Sequence, residues 1–167
     1  MHNELTEKDL ELMRQELDYR RTVLRPKLIE DVQTARAFGD LSENFEYKAA
    51  KRDKNRNDSR CRYLENMIKT AVVIPARSKE GTVGLYDKVT FLMEEDGESV
   101  TCQIVTTMRQ NALKGLVSKE SPVGRAVLGR RVGDRATVQV NDGYSYDIVI
   151  QAIEPGEDTG EVPLVGF

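Results

Sequence analysis

The sequence predicts an α+β chain. An N-terminal antiparallel α-helical coiled-coil hairpin is followed by a small antiparallel β domain with one short helix. Three observations predict it. Gly39 and Pro26 are the only glycine and proline in the first 74 residues, whereas eleven glycines and four prolines follow. Apolar residues in the first part recur at spacings of three and four. Those in the second part alternate with polar ones. Domains are therefore expected at 1–74 and 75–157, with a C-terminal tail at 158–167.

The first helical seam runs through Leu10, Met13, Leu17, Leu24, Leu28, Val32, Ala35 and Phe38, with Arg20 or Arg21 filling the one gap. The stripe is narrow and flanked by charge, which suits a two-helix coiled coil better than a globular core. A helix from Glu7 to Ala37 would be roughly 46 Å long. Pro26 removes an internal hydrogen bond and should bend it. Gly39-Asp40-Leu41-Ser42 then reads as a tight turn. A second helix is expected from Asp40 or Ser42 to Thr70, giving a hairpin. Its ends are apolar, but Lys51 to Arg60 is an unbroken polar run. A linker is the competing reading of that run, and the resumed pattern at Tyr63, Leu64, Met67 and Ile68 argues for helix.

The second part predicts strands around Val89–Met93 and Val100–Val105, joined at Glu95-Asp96-Gly97-Glu98. Ser121-Pro122 is a helix start, serine as cap and proline in the first turn, and Gly129 ends that helix. Two more strands, 136–140 and 144–153, flank Asn141-Asp142-Gly143. In the tail, Val162, Leu164, Val165 and Phe167 could add a strand.

Composition excludes several functions. There is one histidine, His2, and two distant cysteines, Cys61 and Cys102. That leaves no zinc-type spacing, no histidine-dependent catalytic triad and no disulfide framework, and it suits the reducing cytoplasm. No run approaches the roughly 20 apolar residues of a membrane span, and no apolar signal segment follows Met1. Net charge is −3, so stable binding to naked DNA is not expected. Val123-Gly124-Arg125-Ala126 and Val132-Gly133-Asp134 lack the lysine-serine pair of a phosphate loop.

The chemically loaded segment is Asp40-Leu41-Ser42-Glu43-Asn44-Phe45-Glu46-Tyr47, with carboxylates at 40, 43 and 46. Asp-x-x-Glu is an ordinary capping box, and acids favour the positive end of a helix. Two adjacent carboxylates can also share a magnesium ion, although they are too few to hold one alone. Any metal work would need a partner. Behind the tip follow Lys48, Lys51, Arg52, Lys54, Arg56, Arg60 and Arg62. They form either a phosphate-contacting shaft or a solvated face of ion pairs.

These residues carry a resemblance. Gly39-Asp40-Leu41-Ser42-Glu43-Asn44 with Glu46-Tyr47 and Ala49-Ala50-Lys51, Arg25-Pro26, and Arg60 with Leu64-Glu65 form one set. Ser121-Pro122-Val123-Gly124-Arg125-Ala126 with Gly129 through Gly133-Asp134 form a second, distant signature. The chain resembles, from Leu10 to Glu154, the bacterial Gre family of transcript cleavage factors, GreA type. The resemblance implies a coiled-coil hairpin and an FKBP-like C-terminal domain, and a monomer that docks on RNA polymerase and threads the hairpin into its secondary channel. Ser121, Pro122, Gly124 and Arg125 would lie in the docking domain. Asp40 and Glu43 would help hold a magnesium ion in the polymerase active centre. There the polymerase, not this chain, cuts the extruded 3′ end of backtracked RNA. Leu41, Ser42, Asn44, Phe45, Glu46 and Tyr47 would support the tip. Phe45 stands where the family usually has a small residue. Arg52 stands where it has an acid, and Arg56-Asn57 where it has an apolar pair. A secondary-channel regulator or inhibitor that does not promote cleavage is therefore the alternative. A coiled-coil adaptor unrelated to polymerase is a further one.

Overall fold

The structure is a computed structural model describing residues 3–40, 43–77 and 79–166. They divide into two compact units. One is the helical segment Leu10–Ala71; the other combines the N-terminal residues to Asp9 with Val72–Gly166.

In the helical unit, α1 (Glu7–Tyr19) passes into a single π turn at Arg20–Leu24 and then α2 (Arg25–Arg36). The π turn is the form taken by the distortion expected of Pro26. The proline sits in the first turn of α2 and has no N–H to donate one turn back. The Arg25 N–H reaches the Arg20 carbonyl instead. The returning helix α3 (Phe45–Thr70) is continuous through the polar run, so the linker reading is excluded.

The middle of the hairpin seam is polar. Arg60 is 4% exposed and donates from Nε and Nη2 to the two Glu16 carboxylate oxygens, at 2.8 and 3.2 Å. Arg20 donates to Glu16 Oε1 at 2.8 Å and to Asn57 Oδ1 at 2.9 Å. Asn57, also buried, returns a bond to the Arg20 carbonyl. Arg20 thus fills the gap in the apolar stripe. Any slide of α3 along α1 would leave these groups buried without partners, so the layer holds the register of the two helices. Leu10, Met13 and Leu17 are buried on α1, and Cys61, Leu64 and Met67 on α3. Phe38, expected in the stripe, is instead 69% exposed because α2 has already ended before it.

The layer makes the hairpin acid-sensitive. Burial raises the Glu16 pKa, but the hydrogen bonds and charges of Arg60 and Arg20 outweigh it and hold the carboxyl below 4.5. A carboxylate depressed in the folded state stabilises fully above its unfolded value and loses that contribution as pH falls through the folded one. The stability difference between wild type and Glu16→Gln, followed by helical circular dichroism in urea, is therefore expected to be present at pH 7 and to shrink below about pH 4.5. A difference independent of pH would refute the role of the layer.

The second unit is a five-stranded sheet in the order β5-β4-β3-β7-β6. Its strands are β3 (Lys88–Met93), β4 (Ser99–Val105), β5 (Leu116–Ser118), β6 (Arg135–Asn141) and β7 (Tyr144–Glu154). The β3–β4 and β6–β7 pairs are antiparallel, as their hairpin turns predict, and β3 and β7, distant in sequence, also pair antiparallel. The β4–β5 pair is parallel, because two 3₁₀ turns carry the chain back before β5 begins. Val89, Phe91, Ile104, Val138, Ile148 and Ile150 form the core, with Ala126 and Val127 of α4 (Pro122–Val127) packed into it. A short parallel pair, β1 (Glu4–Leu5) with β2 (Val72–Val73), joins the N-terminal residues to this unit. Thr6 and Asp9 exchange backbone-to-side-chain bonds in a capping box that starts α1.

The segment from 158 is not a loose tail in the described residues. Arg109, with its side chain fully buried, makes paired 2.7 Å bonds to Asp158, one of 3.1 Å to Asp9 and one of 2.8 Å to the Val162 carbonyl. The Val165 N–H donates to the Met108 carbonyl. Gly156 passes so close to the Tyr86 carbonyl that a Cβ there would lie 2.0 Å from its oxygen. Phe167 lies outside the described residues.

Candidate functional site

The hairpin tip is built by an abrupt helix stop and a delayed restart. After Arg36 the chain closes with Ala37 and Phe38 N–H bonds to Thr34 and Ala35, and Gly39 adopts φ +124°, a conformation that requires glycine. Asp40 and Glu43 follow, both exposed and both outside any helix. The helix restart falls at Asn44, not at Asp40 or Ser42. Asn44 Oδ1 accepts from the Tyr47 N–H at 2.9 Å, the N-cap geometry, while its Nδ2 donates to the Ala35 carbonyl at 2.7 Å. One side chain thereby caps α3 and ties it to the end of α2. The Asp-x-x-Glu capping box is therefore not used here, and the two carboxylates do not share a helical face.

Asp40, Glu43, Asn44, Glu46, Phe38 and Phe45 line one depression of about 530 Å³. Glu46 lies in the first turn of α3, where the helix N-terminus favours its charge. Tyr47 is half-buried with the Arg36 guanidinium 5.8 Å from its ring centre, and Phe45 is 81% exposed with Lys48 Nζ 5.7 Å from its ring centre. Leu41 and Ser42 lie outside the described residues. Among the described residues no three or more His, Cys, Asp or Glu side chains are grouped to hold a metal ion. Asp40 and Glu43 are hard oxygen donors of the kind magnesium takes, set on an exposed segment where a partner could complete the coordination.

The basic residues behind the tip separate by direction. Lys48, Lys51, Arg52 and Arg56, with Asn55 and Ser59, line a groove of about 410 Å³ along α3. Lys54 instead pairs with Asp58 at 3.0 Å, as does Arg25. Burial raises the Asp58 pKa, yet the bonds and charges of Lys54 and Arg25 prevail and lower it. Arg60 belongs to the Glu16 layer inside the seam, so it is not part of an exposed shaft. The polarity of Lys51–Arg60 conceals this: a buried arginine and a solvated one look alike in sequence, and only the Glu16 partner, 44 residues away, separates them.

In the second unit, Ser121 Oγ caps α4 by accepting from the Gly124 N–H at 3.0 Å and donating to the Ser118 carbonyl at 2.7 Å. Gly124 has no room for a side chain, since a Cβ would lie 2.1 Å from the Ser118 oxygen. These two shape the start of α4, on which Pro122 and Arg125 are exposed. Cys61 and Cys102 are free and buried, and burial pushes the Cys102 thiol up to about 11.

Comparison with known proteins agrees across both units. Residues 3–73 match the family described as transcription elongation factor, N-terminal, and residues 78–155 match transcription elongation factor, GreA/GreB, C-term. The transcription elongation factor GreA of Geobacillus kaustophilus is 43% identical over 140 residues, 83% of this chain and 89% of that protein. That of Bacillus subtilis is 37% identical over 139 residues, covering 83% and 88%. A solved structure of the transcription factor Gfh1 is 27% identical, covers 91% of this chain and 97% of its own, and superposes with a TM-score of 0.44. The chain belongs to the GreA/GreB family of transcription elongation factors.

Proposed function

We propose that this elongation factor threads its hairpin into the secondary channel of RNA polymerase and stimulates the polymerase's own cleavage of backtracked RNA. The observation that carries the proposal is that Asp40 and Glu43 are both exposed, both outside any helix, and line one depression beside the Asn44 cap. A magnesium ion shared with the polymerase would supply the Lewis acidity that activates water and stabilises charge on the phosphodiester. The chain contributes the rest. Asp40 and Glu43 would offer carboxylate oxygens to hold the ion and to accept hydrogen bonds from water at the site. Gly39, at φ +124°, ends the first arm before Asp40, and the Asn44 cap starts the second arm directly after Glu43. Lys48, Lys51, Arg52 and Arg56 face phosphates or acidic channel walls. Pro122 and Arg125 would meet the polymerase at the channel rim, held by the Ser121 cap and the close packing of Gly124. Bond cleavage is the work of the polymerase, so the chain acts as a monomeric protein cofactor and not as an enzyme, in the cytoplasm where the polymerase works.

The test is RNA shortening from the 3′ end in a purified backtracked complex of the cognate polymerase with magnesium. Shortening in the presence of the protein supports the reading. Binding without shortening would move the protein to the alternative class of non-cleaving channel regulators. Charge reversal at Arg52 or Arg56 is expected to weaken engagement several-fold at low salt, with the loss fading as salt screens it. Affinity unchanged across salt would refute the role of the basic groove.

A further inference from the structure

Two aromatic rings stand largely in solvent at the tip. Phe38 is 69% exposed and Phe45 81% exposed. A single exposed apolar residue needs no explanation. These two, however, line the same depression as Asp40 and Glu43. Phe45 opens α3, where the helix needs no aromatic side chain, and its ring faces Lys48 Nζ at 5.7 Å. Lys48 in turn heads the groove that continues through Lys51, Arg52, Asn55, Arg56 and Ser59. A cationic track ending at an exposed aromatic face is the arrangement that receives a single nucleic-acid strand, with cations along the phosphates and a base on the ring. Asp40, Glu43 and Glu46 line the same depression as the ring. Their charge would disfavour an apolar protein partner, which would have to bury those carboxylates.

We propose that Phe45 is a base-stacking platform that positions the extruded 3′ nucleotide of the RNA, so that its phosphate lies beside Asp40 and Glu43. The inference rests on the functional reading above and goes beyond it in naming the nucleobase as the contacted group. Stacking tolerates any base, because every base has a π face, and it requires that a base be present.

The experiment is single-turnover cleavage of complexes backtracked by one nucleotide, with either an ordinary or an abasic 3′ nucleotide. Wild type, Phe45→Ala and Phe45→Tyr are compared at a series of factor concentrations. On the ordinary transcript, Phe45→Ala is expected to lose roughly 10-fold or more in cleavage efficiency, and Phe45→Tyr to recover most of it. On the abasic transcript, wild type and Phe45→Ala are expected to be equal. An equal loss on both transcripts would place the ring against the channel wall and overturn the proposal, as would no loss on either. Absence of stimulation by the wild type on the ordinary transcript would overturn the functional reading, and the stacking role with it. The ring is largely exposed, so the alanine variant is expected to keep the wild-type helical signal.

Discussion

Asp40→Asn and Glu43→Gln are each expected to reduce stimulated RNA cleavage at least about 100-fold while leaving polymerase binding near wild type. Each change keeps the shape of the side chain and removes the anionic oxygen that a hard cation takes. Both residues are exposed and neither is the N-cap of α3, so the substitutions are expected to leave the helical fold in place. Exposed substitutions away from caps and cores usually fall within about 0.5 kcal/mol. Asn44→Ala behaves differently in kind. It removes the α3 cap and the tie to Ala35, so it perturbs the tip through its shape and not through its charge. Gel-resolved RNA lengths together with competition binding separate the two effects. Cleavage by either carboxylate variant at the wild-type rate would remove these residues from the chemistry.

The second large effect concerns Arg109, whose side chain lies with no exposure between Asp9 and Asp158. Its guanidinium also lies 5.1 Å from the Tyr86 ring centre. Burial works against the cation, but the bonds and charge of Asp158, together with Tyr86 and Asp9, outweigh it and raise its pKa further. Arg109→Met fills much of the same volume and strands two buried carboxylates, at an expected cost of about 3–5 kcal/mol. In a unit of about 100 residues that lowers the melting temperature by well over 10 °C. Replacing all three charged residues, Arg109→Met with Asp9→Asn and Asp158→Asn, is expected to recover a large part of the loss, because no charge is then left unpaired. Calorimetry of the full chain measures both. A loss under about 1 kcal/mol in Arg109→Met would show that the triad does not anchor the segment after Pro155.

The parts of this protein visible in its sequence are those governed by local pattern. Alternation at Val89, Phe91, Val100, Cys102 and Ile104 marks the strands, and Asp142-Gly143 marks the turn between β6 and β7. Ser121-Pro122 marks α4. Spacing of three and four along Leu10, Met13 and Leu17 marks the hairpin. The tip carboxylates stood out because acids next to a turn glycine are conspicuous. What remained hidden depends on partners distant in sequence. Asp-x-x-Glu is a sufficient local reason to start a helix at Asp40. Asn44 wins because it satisfies both the Tyr47 N–H and the Ala35 carbonyl, and the second bond exists only once the hairpin has closed. Arg60 and Asn57 look like surface residues until Glu16 and Arg20 arrive from the other helix. The segment from Pro155 has the glycine, proline and acid content of a tail, and nothing near it indicates that Asp158 meets Arg109 across 49 residues.

The central claim is that the tip carboxylates supply part of a magnesium site that the polymerase completes. It is tested most directly by measuring single-turnover cleavage of a backtracked complex as a function of magnesium concentration, with no factor, with wild type and with Asp40→Asn at saturating factor. The account predicts that wild type lowers the magnesium concentration needed for half-maximal rate and that Asp40→Asn leaves it where it stands without factor. A half-maximal concentration identical in all three, with cleavage stimulated by wild type and variant alike, would contradict it.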